Sequence, residues 1–288
     1  MSTQALPLIK NYIDRGLLEE TGAACDLWVT VSPERLSLFV ASAASHQVIG
    51  LTVLDLEGSS FFQKGLFELR GWLEGLELYT REYKNVKIVF ETPEFTIVPE
   101  PLFVAEKADV LLTAQFDLPK FYAVKSTRMD HMQCVNVFAV PDIFCSTLKV
   151  LFPQASVHHY AEYLLLSDVA LNEQGQHTLC VNMHASYLDA VHLYHQELKF
   201  VNTFAFEADT DVIYFILSVA EQQKIAIDKL HLVLTGDINA NGALLQLLRK
   251  YVPEVTLFKR DDIFSYPASF REFPDHQYFT HSVALLCE

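Results

Sequence analysis

The chain is written twice, and that repetition limits its fold more than any other feature. Leu27, Val29 and Val31 alternate in DLWVTV, and Leu179, Val181 and Met183 alternate the same way in HTLCVNM. Leu188 answers Leu36, and Phe204 and Phe206 answer Thr52 and Leu54. All these pairs share one offset of about 150 residues, the size of a domain rather than of a solenoid repeat. Alternation with a period of two predicts strands. Residues 26–57 therefore read as three short strands with tight turns at Ser32-Pro33 and Ser45-His46. Phe62, Leu66, Leu69, Leu73, Leu76 and Tyr79 follow at helical spacing, and VKIVF is a buried strand. From His177 the order returns as three strands, the helix TDVIYFILSVAEQQKI, the strand LHLVL, a second helix and the strand VTLFK. The second half is βββαβαβ, and the first opens as βββαβ.

Residues 93–166 carry further strand and helix signals, QCVNVFAVP and DIFCSTLKVLFP, and predict an insertion in the first half. The division that follows is a first lobe over 1–171, including the insert at about 93–166, and a second lobe over 172–288. The helix FQKGLFELRGWLEGLELYTREY carries Gly65, Gly71 and Gly75. Each costs about 0.5–1 kcal/mol relative to alanine inside a helix. Close packing is the ordinary reason to keep them. A partner surface anchored by Phe61, Phe62 and Trp72 is the alternative.

Charge narrows the partners. A formal net charge of -15 with no Lys/Arg cluster excludes a nucleic-acid binder, which needs cations to neutralise phosphate. Cys25, Cys134, Cys145, Cys180 and Cys287 are scattered without a CxxC, so reduced thiols are expected. No leader pattern opens the chain, and its apolar runs are too short to span a bilayer. A cytoplasmic protein with no membrane insertion is expected.

A three-strand meander followed by α/β crossovers is the ribonuclease-H-like unit. Two such βββαβαβ lobes in tandem, the first with an insertion, resemble the actin-like ATPase fold, and the insertion resembles its pilus-assembly and cell-division branch. EFTIVPEPLF, QCVNVFAVP, FVNTFAFEADTDVIYFILSVAEQQ and HSVALLCE together resemble an uncharacterised bacterial family, a domain of unknown function with that fold. The resemblance covers nearly the whole chain. It implies an α/β fold and not an activity.

What the resemblance implies about chemistry is testable on three segments. Actin-like ATPases hold phosphate in two hairpin turns, typically Asp-x-Gly, because glycine lets backbone N–H groups approach and the aspartate positions magnesium. The first turn here is Val31-Ser32-Pro33-Glu34-Arg35, without glycine; Pro33 removes an amide and Glu34 adds negative charge. The second is Asn182-Met183-His184-Ala185-Ser186, where Asn182 lacks the charge of an aspartate. The third segment, TGDINANGALLQLL, keeps Thr235, Gly236 and Asp237, with Asn239 or Asn241 as the expected helix N-cap. Such a corner serves any strand-to-helix turn as well as a nucleotide.

Elsewhere the residues read as structural. Asp209 and Asp211 fit helix capping. His192 and His195, three apart on a strand, face opposite sides. His158 and His159 divide between core and surface. Asp130, His131 and Cys134 lack a second pair of ligands, so no metal site is expected. Two functions follow. The first is a non-catalytic actin-like scaffold with a degenerate nucleotide site, no cofactor, a protein partner and capacity for self-association. The second is a weak ATP-binding protein or ATPase, using magnesium-ATP at a non-standard inter-lobe site lined by Asn182, Thr235, Gly236 and Asp237.

Overall fold

Two strands organise the chain, β2 (Asp26–Val31) and β10 (His177–Met183), and each is hydrogen-bonded on both edges. They are described in a computed structural model covering residues 7–21, 24–42, 44–56, 60–171, 176–260, 264–272, 274–277 and 281. Contacts divide the chain into two units, Met1–Glu162 with Asp262–Glu272, and Tyr163–Asp261 with Phe273–Cys287.

The first unit begins with β1 (Leu8–Ile13) and α1 (Arg15–Thr21). The meander β2, β3 (Arg35–Ser42) and β4 (Gln47–Asp55) follows, then α2 (Phe61–Glu74) and β5 (Asn85–Phe90). Next come β6 (Phe95–Pro99), α3 (Ala108–Thr113), β7 (Tyr122–Met129) and β8 (Cys134–Pro141). The unit closes with α4 (Asp142–Leu151), β9 (Ser156–His159) and the start of α5 (Tyr160–Leu171). Its main sheet runs β1-β4-β3-β2-β5-β9, and β6-β8-β7 form a separate three-stranded sheet. Val98, Leu112, Val135, Val137 and Ala139 make the core between that sheet and α3.

The second unit runs β10, β11 (Tyr187–Tyr194), β12 (Glu197–Ala205), α6 (Asp209–Gln222), β13 (Leu230–Gly236), α7 (Ala243–Tyr251) and β14 (Glu254–Leu257). Its sheet order is β12-β11-β10-β13-β14, the order of β4-β3-β2-β5-β9 in the first unit. The likeness extends below topology. β2 and β10 each pair antiparallel with the next strand and parallel with the strand after the helix. The register slips between Val40 and Ala41 in one lobe and between His192 and Leu193 in the other, at the offset seen in the sequence. The Ser32 amide donates to the Arg35 carbonyl at 2.8 Å, as the His184 amide does to the Tyr187 carbonyl at 2.9 Å.

Several elements differ from the sequence reading. The range 93–166 is mixed. Only β6, α3, β7 and β8 form the extra sheet and its helix, while β9 pairs with β5 in the main sheet. With α4 and β9 the first lobe completes βββαβαβ. The first unit ends at Glu162, earlier than residue 171, because the first turn of α5 is tied to its own unit. Tyr160 lies against Phe95 at 5.8 Å, and Glu162 accepts from the His159 amide at 3.0 Å. Helix α2 stops at Glu74, where Gly75 caps it and the Leu76 amide bonds back to Leu73 at 2.8 Å. Strand β1 has no sequence signal, since its first four residues are exposed and show no alternation. Residues 264–272 return to the first unit, with the Val48 amide donating to Ser265 at 2.9 Å and Phe270 buried near Tyr12.

Other readings hold. Asp211 accepts from the Glu207 and Ala208 amides at 3.0 Å each, capping α6. His159 is fully buried and stacked on Phe138, while His158 is partly exposed. His195 departs from the reading that put it on one strand with His192: β11 ends at Tyr194, and His195 sits in the β11–β12 turn with Gln196, at φ of 54° and 61°.

His192 instead faces His177 across β10 and β11, with His177 Nδ1 3.1 Å from His192 Nε2. One ring must donate and the other accept, so the two cannot both be charged while this bond is kept. Burial, then the nearby His195 and Lys229, push His177 down; burial, then the His177 and Lys199 charges, push His192 down, against Gln223, which favours the charged ring. A lowered histidine pKa gives stability that is present above the unfolded value of about 6.5 and is lost as pH falls. We expect the urea midpoint to stay level above about pH 6.5 and to drop below it. A His177→Gln, His192→Gln double variant should flatten that acid limb in the same titration.

Candidate functional site

The ends of β10 and β13 bring three of the four sequence-predicted residues together. These strands are parallel neighbours, with Asn182 opposite Thr235 and Met183 opposite Gly236. Thr235 Oγ1 donates to Asn182 Oδ1 at 2.9 Å, and both side chains are buried. The amide nitrogen of Asn182 lies 2.8 Å from His184 Nε2, which in turn lies 2.9 Å from Asp189 Oδ2. Nε2 faces both, and its proton decides which contact is a hydrogen bond. As N–H it donates to the carboxylate; bare, it accepts from the Asn182 amide.

Asp189 is directly opposite Asn182 in β11 and has no solvent exposure. Its second oxygen accepts from Thr203 Oγ1 of β12 at 2.7 Å. The ring of His184 stacks on Tyr187 at 4.0 Å, which fixes its plane. Sealing a carboxylate inside a sheet is costly unless it is bonded, and bonds to a charged group are worth about 1.5–3 kcal/mol each. Thr203 bonds Asp189 and Thr235 bonds Asn182 at the two ends, and His184 Nε2 between them bonds one or the other according to its proton.

Gly236 is positioned by backbone, not by space for a ligand. Its φ is +79°, and a Cβ there would lie 2.2 Å from the Met183 carbonyl and 2.8 Å from Asn182 Oδ1. Its amide donates to the His276 carbonyl at 2.7 Å, and His276 Nε2 donates to the Ile238 carbonyl at 2.8 Å. The Asp237 amide donates to Met183 O at 2.7 Å, while the Asp237 side chain is exposed. The helix cap differs from expectation. Asn239 Oδ1 is spent on the Asn241 amide at 2.9 Å, closing an Asx turn, and Gly242 is the N-cap of α7.

The first-lobe turn is equally closed. Ser32 N is bonded to Arg35 O, and Arg35 N donates to Ser32 Oγ at 3.1 Å. The carbonyls of Pro33 and Glu34 accept from Phe61 and Leu56 amides. A polyphosphate needs free amides, and those of Ser32, His184, Gly236 and Asp237 are already donated to carbonyls of this chain. Those four amides are not available to a phosphate group.

Residues 18–255 match a family described as Protein of unknown function (DUF3822). The chain belongs to this family. It is similar to a solved protein from Bacteroides thetaiotaomicron described as having an actin-like ATPase fold and unknown function. That likeness has 17% identity and a TM-score of 0.80, over 93% of this chain and 98% of the other. It is also similar to a chain of a PilM-PilN type IV pilus biogenesis complex, with 12% identity and a TM-score of 0.62, over 92% and 98%. At such identities the likeness is one of fold, and the fold is that of actin-like ATPases. No curated protein matches the sequence. No helix among the described residues is long and apolar enough to cross a membrane.

Sequence reasoning missed His184, Asp189 and Thr203 as partners of Asn182. The signal was present in Asp189, an acid in the apolar run YLDAVHLY, where strands disfavour aspartate and burial demands a partner. Gly236→Ala tests the backbone account. It should destabilise the fold by about 2–4 kcal/mol, combining left-handed strain with a clash, and urea unfolding against the unsubstituted chain measures it.

Proposed function

We propose that this member of DUF3822 is a non-catalytic, actin-like scaffold whose nucleotide site is degenerate and whose work is protein–protein interaction. The observation that carries this reading is the closure of the second-lobe site. Asn182 and Thr235 are bonded to each other, and the Gly236 and Asp237 amides end on carbonyls. Pro33 adds to it, because it has no amide to offer in the first turn. Phosphoryl transfer is mostly positioning and charge stabilisation by phosphate-cradling amides and an acid-held magnesium. Loss of one such donor typically costs about 10²–10³ in rate. The complex of PilM with PilN supports the interaction half, as a similar fold found with a protein partner. No basic cluster favours nucleic acid, and the partner in this reading is a protein.

Magnesium-ATP tests it. A ligand at a hundredfold excess over its Kd stabilises the native state by about 2.7 kcal/mol. We expect no shift in the thermal melt and no phosphate release. Turnover near one per second, abolished in an Asn182→Ala, Asp237→Ala variant, would overturn the reading in favour of an ATPase that uses Asn182, Thr235, Gly236 and Asp237.

A further inference from the structure

The extra sheet of the first unit ends in an open edge beside an apolar groove. β7 lies at one end of the order β6-β8-β7, and no strand pairs with its outer edge among the described residues. Tyr122 and Val124 of β7 pack on the α3 cluster, so one face of the strand is already spent. At its start opens a groove of about 430 Å³ walled by Pro33, Phe62, Tyr122, Pro141 and Phe144. The rings of Phe62 and Phe144 meet edge-on at 5.5 Å.

Two large apolar side chains stand at the groove's mouth in water. Ile143 is 51% exposed and Phe121 is 75% exposed. Phe121 also has φ +68°, a conformation that bulky residues adopt only under strain, held by the Asp142 amide donating to its carbonyl at 2.9 Å. A strained backbone carrying an exposed aromatic gains nothing for the fold from that ring. Such outliers gather at binding sites.

Charge identifies the occupant. The whole chain carries -15, yet residues 118–129 hold Lys120, Lys125 and Arg128 and no acid. Arg128 is paired with Glu100 at 3.3 Å. Lys120 and Lys125 have no carboxylate partner among the described residues. A lysine on an edge strand blunts non-specific pairing, and it also selects a strand of opposite charge. We propose that β7 accepts an extended segment of a partner protein as an added strand. That segment alternates apolar and acidic residues, placing an apolar side chain against Phe121 in the groove and its acids beside Lys120 and Lys125. This deepens the scaffold reading by naming the partner's chemistry.

The test uses the full chain and a fluorescein-labelled ten-residue peptide alternating Leu or Phe with Asp or Glu. Its control replaces every acid with lysine. We expect saturable anisotropy for the acidic peptide, weakened by salt, and slowed hydrogen exchange across Tyr122–Met129. The Lys120→Glu, Lys125→Glu variant should bind at least about tenfold more weakly. Phe121→Gly relieves the left-handed strain, so its melting temperature should hold or rise while its affinity falls at least about tenfold. No binding, equal binding of the lysine peptide, or full affinity in Phe121→Gly would overturn the proposal. So would light scattering that shows a dimer dissolved by Phe121→Gly, since the occupant would then be a second copy. ATP turnover is a separate readout. Failure of the peptide leaves the non-catalytic reading standing, and turnover sinks that reading without altering the peptide result.

Discussion

β2 and β10 are bonded along both edges, and every residue of β2 and all but the first of β10 are buried. That double burial dictates what surrounds them. A parallel neighbour cannot be reached by a tight turn, so α2 and α6 must cross over before β5 and β13 can join. An antiparallel neighbour can, which is why Ser32–Arg35 and His184–Tyr187 close so sharply. A polar side chain on such a strand has no water to turn to, and it must find its partner within the sheet. Asn182, Thr235 and Asp189 do so.

The two copies solve this problem differently. Where the second lobe has Asn182, His184 and Asp189, the first has Thr30, Ser32 and Ser37 at the matching offset. Small hydroxyls can turn to a nearby carbonyl, and Ser32 Oγ accepts from the Arg35 amide within its own turn. A buried aspartate cannot be satisfied so locally, and it recruits β12 through Thr203. The asymmetry makes the second lobe the one whose strand ends are locked by charge.

How much of this was readable in the sequence depended on where the determining force lay. Burial leaves a period in the apolar residues, so both meanders, the crossover helices and the duplication were legible from Leu27, Leu179 and their companions. β1 was not, because an exposed edge strand is specified by backbone pairing with β4 and leaves no apolar period. The site residues Asn182, Thr235 and Gly236 were picked out from the fold's chemistry, yet their partners were not. Hydrogen bonds across strands join residues far apart in sequence, as Thr235 and Asn182 are, and nothing in composition marks the pair. Asn239 misled for the opposite reason. Its side chain was free to choose between a helix cap and its own turn, and it took the turn.

The return of residues 264–272 to the first unit has a consequence for synthesis. Ser265 bonds to His46 across a separation of 219 residues. A ribosome adding about 5–20 residues per second needs some tens of seconds to make that interval. Throughout it, the hairpin joining β3 and β4 stands without the segment that caps its turn, while β4 itself is already paired with β1 on one edge and β3 on the other. Closing so long a loop adds only modest entropy at equilibrium, so the burden falls on timing. The β3–β4 turn is thus the part of the first lobe that waits longest for its cover, since His46 and Val48 meet Ser265 only after both lobes' strands have been made.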